Sequence, residues 1–252
     1  MIKSNEKISE PEMDYAEYAL HYDNLCDINP AYAELDSYFR FHVAKMKLPD
    51  SANVIDLGAG TGNFVCSLLE FHKSANVIHV DCSEEMNAFA RKKYKSLGHS
   101  VQIVDEYIQY CDFPESSQDL LVCVNVLNSN PPPLPFLKKI SLWLKPGGKI
   151  FLVDFGRQLK LLDWTWYLLK SSLTNHGLRK TFESIISTRK AFSSNRNGRS
   201  DQLSGKLWTH DTEELIDLMK NAGFDIDHAQ PCYRNYADLI VGTKNKLLPH
   251  QP

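Results

Sequence analysis

Short apolar runs and amphipathic stretches alternate along residues 51–156. The apolar runs predict strands at 52–57, 76–81, 101–104, 119–126 and 149–155, and the stretches between them predict helices at 63–72, 84–96 and 134–144. This alternation is typical of an α/β domain with a parallel sheet, right-handed crossovers and helices on both faces. Ligands of such sheets bind at the carboxyl ends of the strands, where the sequence places Asp56, Asp81, Asp105 and Asn125.

The segments outside this core predict more helices and two more strands. Residues 13–25 and 31–47 have helical periodicity and are separated at Asn29–Pro30. A capping pattern formed by Asp211 and Glu214 begins a closing helix that ends at Gly223, and strands follow near 224–230 and 236–243. We therefore divide the chain into an N-terminal helical extension (1–50), a core (51–156), a helical insertion (157–207) and a C-terminal helix with a strand pair that completes the core (208–252).

The turn between the first core strand and the first core helix is rich in glycine. It reads Asp56-Leu57-Gly58-Ala59-Gly60-Thr61-Gly62. Dinucleotide-binding loops have the spacing Gly-x-Gly-x-x-Gly, because their backbone passes close to a pyrophosphate. Here the third glycine comes one residue early and an acid precedes the loop, which favours a ligand with a cationic amine and no phosphate at this point. S-adenosylmethionine (SAM) has that property.

A second acid, Asp81, ends the second strand 25 residues after Asp56. In a parallel βαβ unit an acid at this place binds ribose hydroxyls. With Asp81-Cys82-Ser83-Glu84-Glu85-Met86, Lys145-Pro146-Gly147-Gly148-Lys149 and Asn221-Ala222-Gly223-Phe224, the chain resembles the class I SAM-dependent methyltransferases over roughly residues 50–156 and 208–244. The resemblance implies a Rossmann-like seven-stranded α/β sheet with an antiparallel edge hairpin, and a lid formed by the N-terminal helices and the insertion.

The same resemblance implies roles for individual residues of a cofactor site. Asp56 would accept from the amine of SAM, Asp81 would bind both ribose hydroxyls, and Met86 would pack on the adenine. Asp105 would accept from the adenine amino group, with its neighbour Glu106 as the alternative. Tyr22–Asp23 resembles a Tyr-Asp pair that closes over SAM in many small-molecule methyltransferases. We expect the site to comprise Tyr22, Asp56, Gly58, Ala59, Gly60, Thr61, Gly62, Asp81, Cys82, Met86, Asp105, Glu106 and Asn125.

Aromatic residues outside the core predict where a methyl acceptor binds. Three tyrosines share one face of the first helix, and the insertion carries an aromatic segment. The predicted acceptor pocket comprises Tyr15, Tyr18, Asn128, Trp164, Trp166 and Tyr167. The catalytic residues stay unassigned, with His210, His176 and Tyr22 as candidates; either histidine is a possible general base for a phenol or hydroxyl.

Asn130-Pro131-Pro132-Pro133 invites comparison with a motif of amino-group methyltransferases in which an asparagine directly follows the fourth strand. Here the strand is predicted to end near Asn125, and Pro133 stands where that motif has an aromatic residue. We therefore expect the proline run to begin the next helix.

Charge and composition limit the class of partner. The chain has 252 residues and a net charge of −3, yet the insertion has ten Lys and Arg against three Asp and Glu, a charge of +7, which leaves −10 on the rest. The basic insertion fits an anionic small acceptor or the phosphates of RNA, but the acidic remainder argues against an extended nucleic-acid surface. No cluster of His, Asp and Glu has metal-ligand spacing, so we expect no metal.

The six cysteines are scattered without a C-x-x-C pair, which is typical of free thiols in a reducing cytosol. The N-terminal residues lack a signal-peptide pattern, and no apolar run is long enough to cross a membrane. These features predict a cytoplasmic protein without a membrane segment.

The sequence thus predicts a transferase of class EC 2.1.1.- that methylates a small-molecule acceptor, a metabolite or natural product of anionic or aromatic character. SAM is the expected cofactor and S-adenosylhomocysteine its product. Two alternatives stay open: an RNA or protein methyltransferase that uses the basic insertion, and a SAM-binding module without catalysis. The sequence leaves open whether nitrogen, oxygen, carbon or sulfur is methylated, and the oligomeric state.

Overall fold

Seven strands form one mixed sheet in the computed structural model, which describes residues 22–23, 26–27, 29–130, 132–158, 160, 162–168, 170–171 and 204–246. The strands are β1 (Asn53–Leu57), β2 (Asn76–Val80), β3 (Gln102–Val104), β4 (Gln118–Val124), β5 (Leu144–Phe155), β6 (Phe224–Cys232) and β7 (Ala237–Lys244). Their order is β3-β2-β1-β4-β5-β7-β6. Strands β1 to β5 are parallel, and β7 runs antiparallel between β5 and β6. The predicted seven-stranded α/β sheet with an antiparallel edge is therefore confirmed.

Five helices cover the two faces of this sheet: α1 (Pro30–Lys45), α2 (Asn63–Phe71), α3 (Glu84–Ser96), α4 (Pro133–Trp143) and α5 (Thr212–Asn221). Short 3-10 helices span Ile108–Tyr110, Leu127–Ser129 and Tyr233–Asn235, and residues 162–168 are helical. Successive strand residues point to opposite faces. Val54 therefore packs in one core with α1, α2 and α3, whereas Ile55 packs in the other with α4 and α5. Among the described residues, no helix combines the length and apolar character that crossing a bilayer requires.

Local capping sets the helix starts that the sequence predicted. The Asn29 side chain accepts from the Ala31 amide at 3.1 Å, and Pro30 occupies the first helical position of α1. At α5 the Asp211 carboxylate accepts from the Glu214 amide at 2.9 Å. Both predicted boundaries hold because each depends on contacts within three residues of sequence.

The end of β4 and the start of β5 differ from the prediction. Strand β4 ends at Val124 instead of residue 126, because Asn125 adopts a left-handed conformation with φ of 60°. Strand β5 begins at Leu144, which pairs with Gln118 before the register shifts and regular pairing resumes between Leu120 and Lys149. Predicted residues 13–21 and most of the insertion, including Tyr15, Tyr18 and His176, lie outside the described residues.

The capping contact at α5 yields a stability prediction. We expect Asp211→Ala to lower the free energy of unfolding by about 1 kcal/mol, because it leaves an amide of the first turn without its side-chain acceptor. Urea denaturation measures the change. Asp217→Ala removes an exposed acid from the same helix, and its effect should stay within about 0.5 kcal/mol. Equal losses in both variants would contradict the capping role.

Candidate functional site

The glycine loop is bound to the end of β2 through its backbone. The amides of Gly58 and Ala59 both donate to the Val80 carbonyl oxygen, at 2.8 and 3.0 Å. Gly58 has φ of +67°, and a Cβ at this position would lie 2.3 Å from a Val126 methyl group. Gly58 is therefore required both for its left-handed backbone and for the close approach of the β4 end.

Asp81 joins this loop to the first turn of α3. Its Oδ2 accepts from the Gly60 amide at 2.8 Å, and its Oδ1 accepts from the Ser83 amide at 2.9 Å. Burial raises the pKa of Asp81, and these two amide contacts oppose that rise. Each oxygen keeps a lone pair for a further donor, so the arrangement is compatible with the predicted ribose contact.

Asp56 is buried next to the same loop with one oxygen lacking a partner. Its side chain is 2% exposed, and Oδ2 has no hydrogen-bond partner among the described residues. Burial and, to a smaller extent, the charge of Asp81 raise the pKa of Asp56 well above its ordinary value. Buried polar atoms without partners are rare and costly, so Asp56 fits a ligand that brings a donor or a positive charge. The amine of SAM has both.

The N-terminal extension contacts the loop through Asp23. Asp23 Oδ1 accepts from the Thr61 hydroxyl at 2.6 Å, and Asp23 Oδ2 lies 3.0 Å from Lys93 Nζ. Thr61 is fully buried beneath this contact. The predicted site includes Tyr22 of the Tyr22–Asp23 pair, and the structure adds Asp23 and Lys93. The pair itself was the sequence signal for Asp23.

A buried polar chain supports Asp81 from below. His79 Nδ1 lies 2.7 Å from the Tyr94 hydroxyl, and His79 Nε2 lies 2.9 Å from Asn87 Oδ1. Asn87 Nδ2 then donates to the Asp81 carbonyl oxygen at 3.0 Å. Burial lowers the pKa of His79 to about 4, so this ring is neutral near pH 7. A Cβ at Gly62 would lie 2.1 Å from the Tyr94 hydroxyl, so the third glycine of the loop makes room for this chain.

The residues predicted to surround the adenine follow β2 and β3 in the chain. Met86 is buried in the first turn of α3, whereas Asp105 and Glu106 are exposed after β3, and Cys82 is exposed after β2. A hydrogen bond with Glu84 raises the pKa of Asp105. The structure brings these residues to one edge of the sheet, and their contacts with adenine stay a prediction.

The predicted acceptor residues separate into three places. Trp164 is buried, and its ring lies 5.4 Å from the Tyr233 ring and 5.7 Å from the Tyr167 ring, close to the turn between β6 and β7. Trp166, two residues along the same helical segment, is 72% exposed. Asn125 is exposed and Asn128 is buried after β4. The pocket assignment of these residues stays a prediction, and for Trp166 it requires another segment to cover the exposed ring.

Asn130 is anchored by its side-chain amide nitrogen, whereas its Oδ1 is buried without a hydrogen-bond partner among the described residues. Its Nδ2 donates to the Val126 carbonyl oxygen at 2.7 Å, and Pro133 begins α4. The proline run therefore starts the helix as expected.

The closing segment brings His210 to the strand ends. The His210 amide donates to the Gly156 carbonyl oxygen at 3.0 Å, directly after β5, and the Trp208 amide donates to the Asn128 carbonyl oxygen at 2.9 Å, after β4. The His210 side chain is fully buried and stacks on Trp208 with ring centroids 4.5 Å apart. Its neighbour Asp238 comes from β7, and no local pattern of residues points to this acid because the sequence predicts β7 only as part of an edge hairpin.

Comparison with known proteins agrees with this geometry. A family model described as a methyltransferase domain matches residues 54–148. Phosphoethanolamine N-methyltransferase 3 of Arabidopsis thaliana is 26% identical over 218 residues, which are 82% of this chain and 41% of that protein. The ubiquinone/menaquinone biosynthesis C-methyltransferase of Desulfotalea psychrophila is 25% identical over 205 residues, 81% of this chain and 75% of that protein. The chain spans less than half the length of several curated relatives that it matches.

Solved structures share the fold. The Burkholderia thailandensis 1,6-didemethyltoxoflavin-N1-methyltransferase, solved with 1,6-didemethyltoxoflavin and S-adenosylhomocysteine, superposes with a TM-score of 0.58 at 16% identity and covers 97% of this chain and 93% of its own. This similarity concerns the arrangement of strands and helices. The family model over residues 54–148, the methyltransferase relatives and the order of the sheet together support a class I SAM-dependent methyltransferase family for this chain, with SAM as the cofactor.

Proposed function

We propose that this chain transfers a methyl group from SAM to a small-molecule acceptor. The observation that carries the proposal is the buried, unpartnered Asp56 oxygen beside the loop that Asp81 holds in place. When bound, SAM supplies a methyl group that is already activated by its sulfonium charge. The chain then has to hold the donor, align the acceptor and exclude water.

We infer that the residues of the loop hold the donor. Asp56 would take the amine, the backbone of Gly58 and Gly60 would face the methionine part, and Asp81 would accept from the ribose hydroxyls. The extension that reaches Thr61 through Asp23 would cover this part of the site. Every one of these groups lies at the carboxyl ends of β1 and β2 or in the segment packed on them.

A small acceptor of anionic or aromatic character agrees with several observations. The names of the relatives refer to phosphoethanolamine and to ubiquinone biosynthesis, and the Burkholderia structure holds a small heterocycle. The insertion carries a charge of +7 within the chain, which suits an acceptor with a phosphate or carboxylate. We propose that the acceptor binds between the insertion, the N-terminal helices and the loop from Asn125 to Pro133. RNA is the second candidate, because the same charge attracts its phosphates.

An acceptor screen tests the proposal. The full chain is incubated with methyl-labelled SAM and, in separate reactions, phosphoethanolamine, simple phenols and catechols, a metabolite extract, and total RNA. We expect label in a small-molecule product with an equal amount of S-adenosylhomocysteine. Label confined to RNA or protein would favour the macromolecular alternative, and binding of SAM without any labelled product would indicate a module without catalysis.

Asp81→Asn tests the donor site independently of the acceptor. We expect the affinity for SAM, measured by calorimetry, to fall about tenfold to a hundredfold, because the variant loses a charged acceptor. Asp112→Asn changes an exposed acid after β3 and should leave the affinity unchanged. Unchanged affinity in Asp81→Asn would remove the ribose assignment.

The protonation of Asp56 yields a third test. Burial raises the pKa of Asp56 and favours its protonated form in the free protein, whereas the positive amine of SAM would favour the carboxylate. Calorimetry in buffers of different ionisation enthalpy should therefore show proton release on SAM binding, and the affinity should rise with pH through the range in which Asp56 titrates. Asp56→Asn should abolish that release. Proton release that persists in the variant would assign it to another group.

A further inference from the structure

A second group of buried polar residues lies where β5 pairs with β7. Asp154 of β5 and Asp238 of β7 are cross-strand partners, and both side chains are fully buried. Arg157 and Thr212 both contact Asp238 Oδ1, at 3.0 and 2.7 Å. His210 completes the group, with its Nδ1 atom 3.4 Å from Asp238 Oδ2.

The two carboxyl groups differ in protonation because their neighbours differ. Burial raises the pKa of Asp154 well above its ordinary value, the amides of Phe155 and Asn128 offset this only in part, and the charge of Asp238 adds to the rise. Burial also acts against the ionisation of Asp238, but His210, Arg157 and Thr212 outweigh it and lower the pKa of Asp238. Burial thus favours the protonated form of Asp154, whereas the neighbours of Asp238 favour its ionised form.

The contacts of His210 decide which ring nitrogen carries the hydrogen when the ring holds a single one. Nδ1 lies 3.2 Å from the Asp211 carbonyl oxygen and 3.4 Å from Asp238 Oδ2. A carbonyl and a carboxylate only accept hydrogen bonds, so Nδ1 must carry the hydrogen. The other nitrogen, Nε2, then has a free lone pair.

That lone pair is buried and has no partner within the described part of the chain. His210 Nε2, Asp154 Oδ2 and Asp238 Oδ2 are buried polar atoms without a hydrogen bond there, so Asp238 Oδ2 acts on the ring through its charge at 3.4 Å. The ring itself is held firmly, since it stacks on Trp208 and a Cβ at Gly156 would lie 2.7 Å from it. A fixed imidazole with an unused lone pair fits a ligand that presents a hydrogen-bond donor.

The position of the ring relates this group to the cofactor loop. His210 lies beside Gly156 after β5, and its neighbour Trp208 is bonded to Asn128 after β4. Strands β1, β4 and β5 are parallel, so these residues and the loop after β1 lie along the same edge of the sheet. The proposed acceptor loop from Asn125 to Pro133 lies between them in the strand order.

We propose that His210 is a catalytic base that accepts, at Nε2, the proton of the nucleophilic O–H or N–H group of the acceptor, and that Asp238 is the positioning residue for its ring. This rests on the proposed methyl transfer. As the O–H or N–H bond breaks, its proton moves to Nε2 and its electron pair stays on the nucleophilic atom. Asp238 stabilises the resulting imidazolium, which returns the proton to solvent after product leaves. The acceptor class is therefore a phenol, another hydroxyl compound or an amine.

The tautomer is measured first, and this measurement needs neither acceptor nor SAM. Long-range nitrogen–proton spectra of the full chain with labelled histidine should show His210 with hydrogen on Nδ1 and an unprotonated Nε2 at pH 8. The signal is assigned by its loss in His210→Gln or, if that variant does not fold, by its proximity to the Trp208 indole. Asp238→Asn should produce a mixture of tautomers. Hydrogen on Nε2 in the unmodified protein would overturn the proposal.

Kinetics with an acceptor from the screen give the second measurement. His210→Gln should lower kcat at least about a hundredfold and remove the acid limb of kcat against pH, with SAM affinity within about twofold. Asp154, Asp238 and Arg157 are the other ionisable groups around the ring, and their effect on the pH profile must be distinguished from that of His210. Asp154→Asn is therefore measured in parallel and should keep the acid limb. Asp238→Asn should lower kcat with little change in KM. His228→Gln on β6 is the matched control and should change neither quantity.

The outcomes separate the two proposals. If the unmodified chain turns over an acceptor and His210→Gln keeps kcat within about threefold, His210 is not the base and the proposed function stands. If the unmodified chain methylates no small molecule, the proposed function fails and the role of His210 fails with it. A large loss of SAM affinity in His210→Gln would place the residue in the donor site and also contradict the proposal.

Discussion

The site depends on the bridge that Asp81 makes between Gly60 and Ser83. One carboxylate holds the glycine loop with one oxygen and the start of α3 with the other. Gly60 follows β1 and Asp81 follows β2, so the bridge holds the end of β1 in a fixed position relative to the end of β2. Amide hydrogen bonds to a carboxylate are among the stronger ones in proteins, and here they hold a loop that has few other side chains to pack.

The bridge in turn depends on the buried chain of Tyr94, His79 and Asn87. These side chains lie below the loop and end on the Asp81 carbonyl oxygen, so they fix the backbone from which the carboxylate projects. A neutral imidazole serves here because it accepts on one nitrogen and donates on the other, and burial keeps it neutral. A buried polar chain whose members are all bonded rigidifies the region, and this loop must keep its shape around a ligand.

The strand ends hold buried acids in two places, and the neighbours of each decide its chemistry. Among the described residues no cation offsets the burial of Asp56, and burial raises the pKa of its carboxyl group well above the ordinary value. Asp238 has Arg157, Thr212 and His210 and is ionised. An unpaired buried polar atom costs about 1–3 kcal/mol, so the free protein gives up stability at the places where ligands would supply the missing partners.

The sequence by itself determined the alternating strands and helices, the cofactor loop and the helix starts at Asn29 and Asp211. Each of these depends on the periodicity of a segment or on contacts within a few residues, and the family resemblance added the seven-stranded sheet with its antiparallel edge hairpin. Only the tertiary structure decided that Asp23 bonds to Thr61, that His79 supports Asp81, that Trp166 is exposed while Trp164 is buried, and that Asp238 meets His210. These contacts join residues on different elements. They follow from how strands pair and helices pack, and the meeting of Asp238 with His210 requires β7 to lie next to β5. No local pattern of residues specifies these contacts.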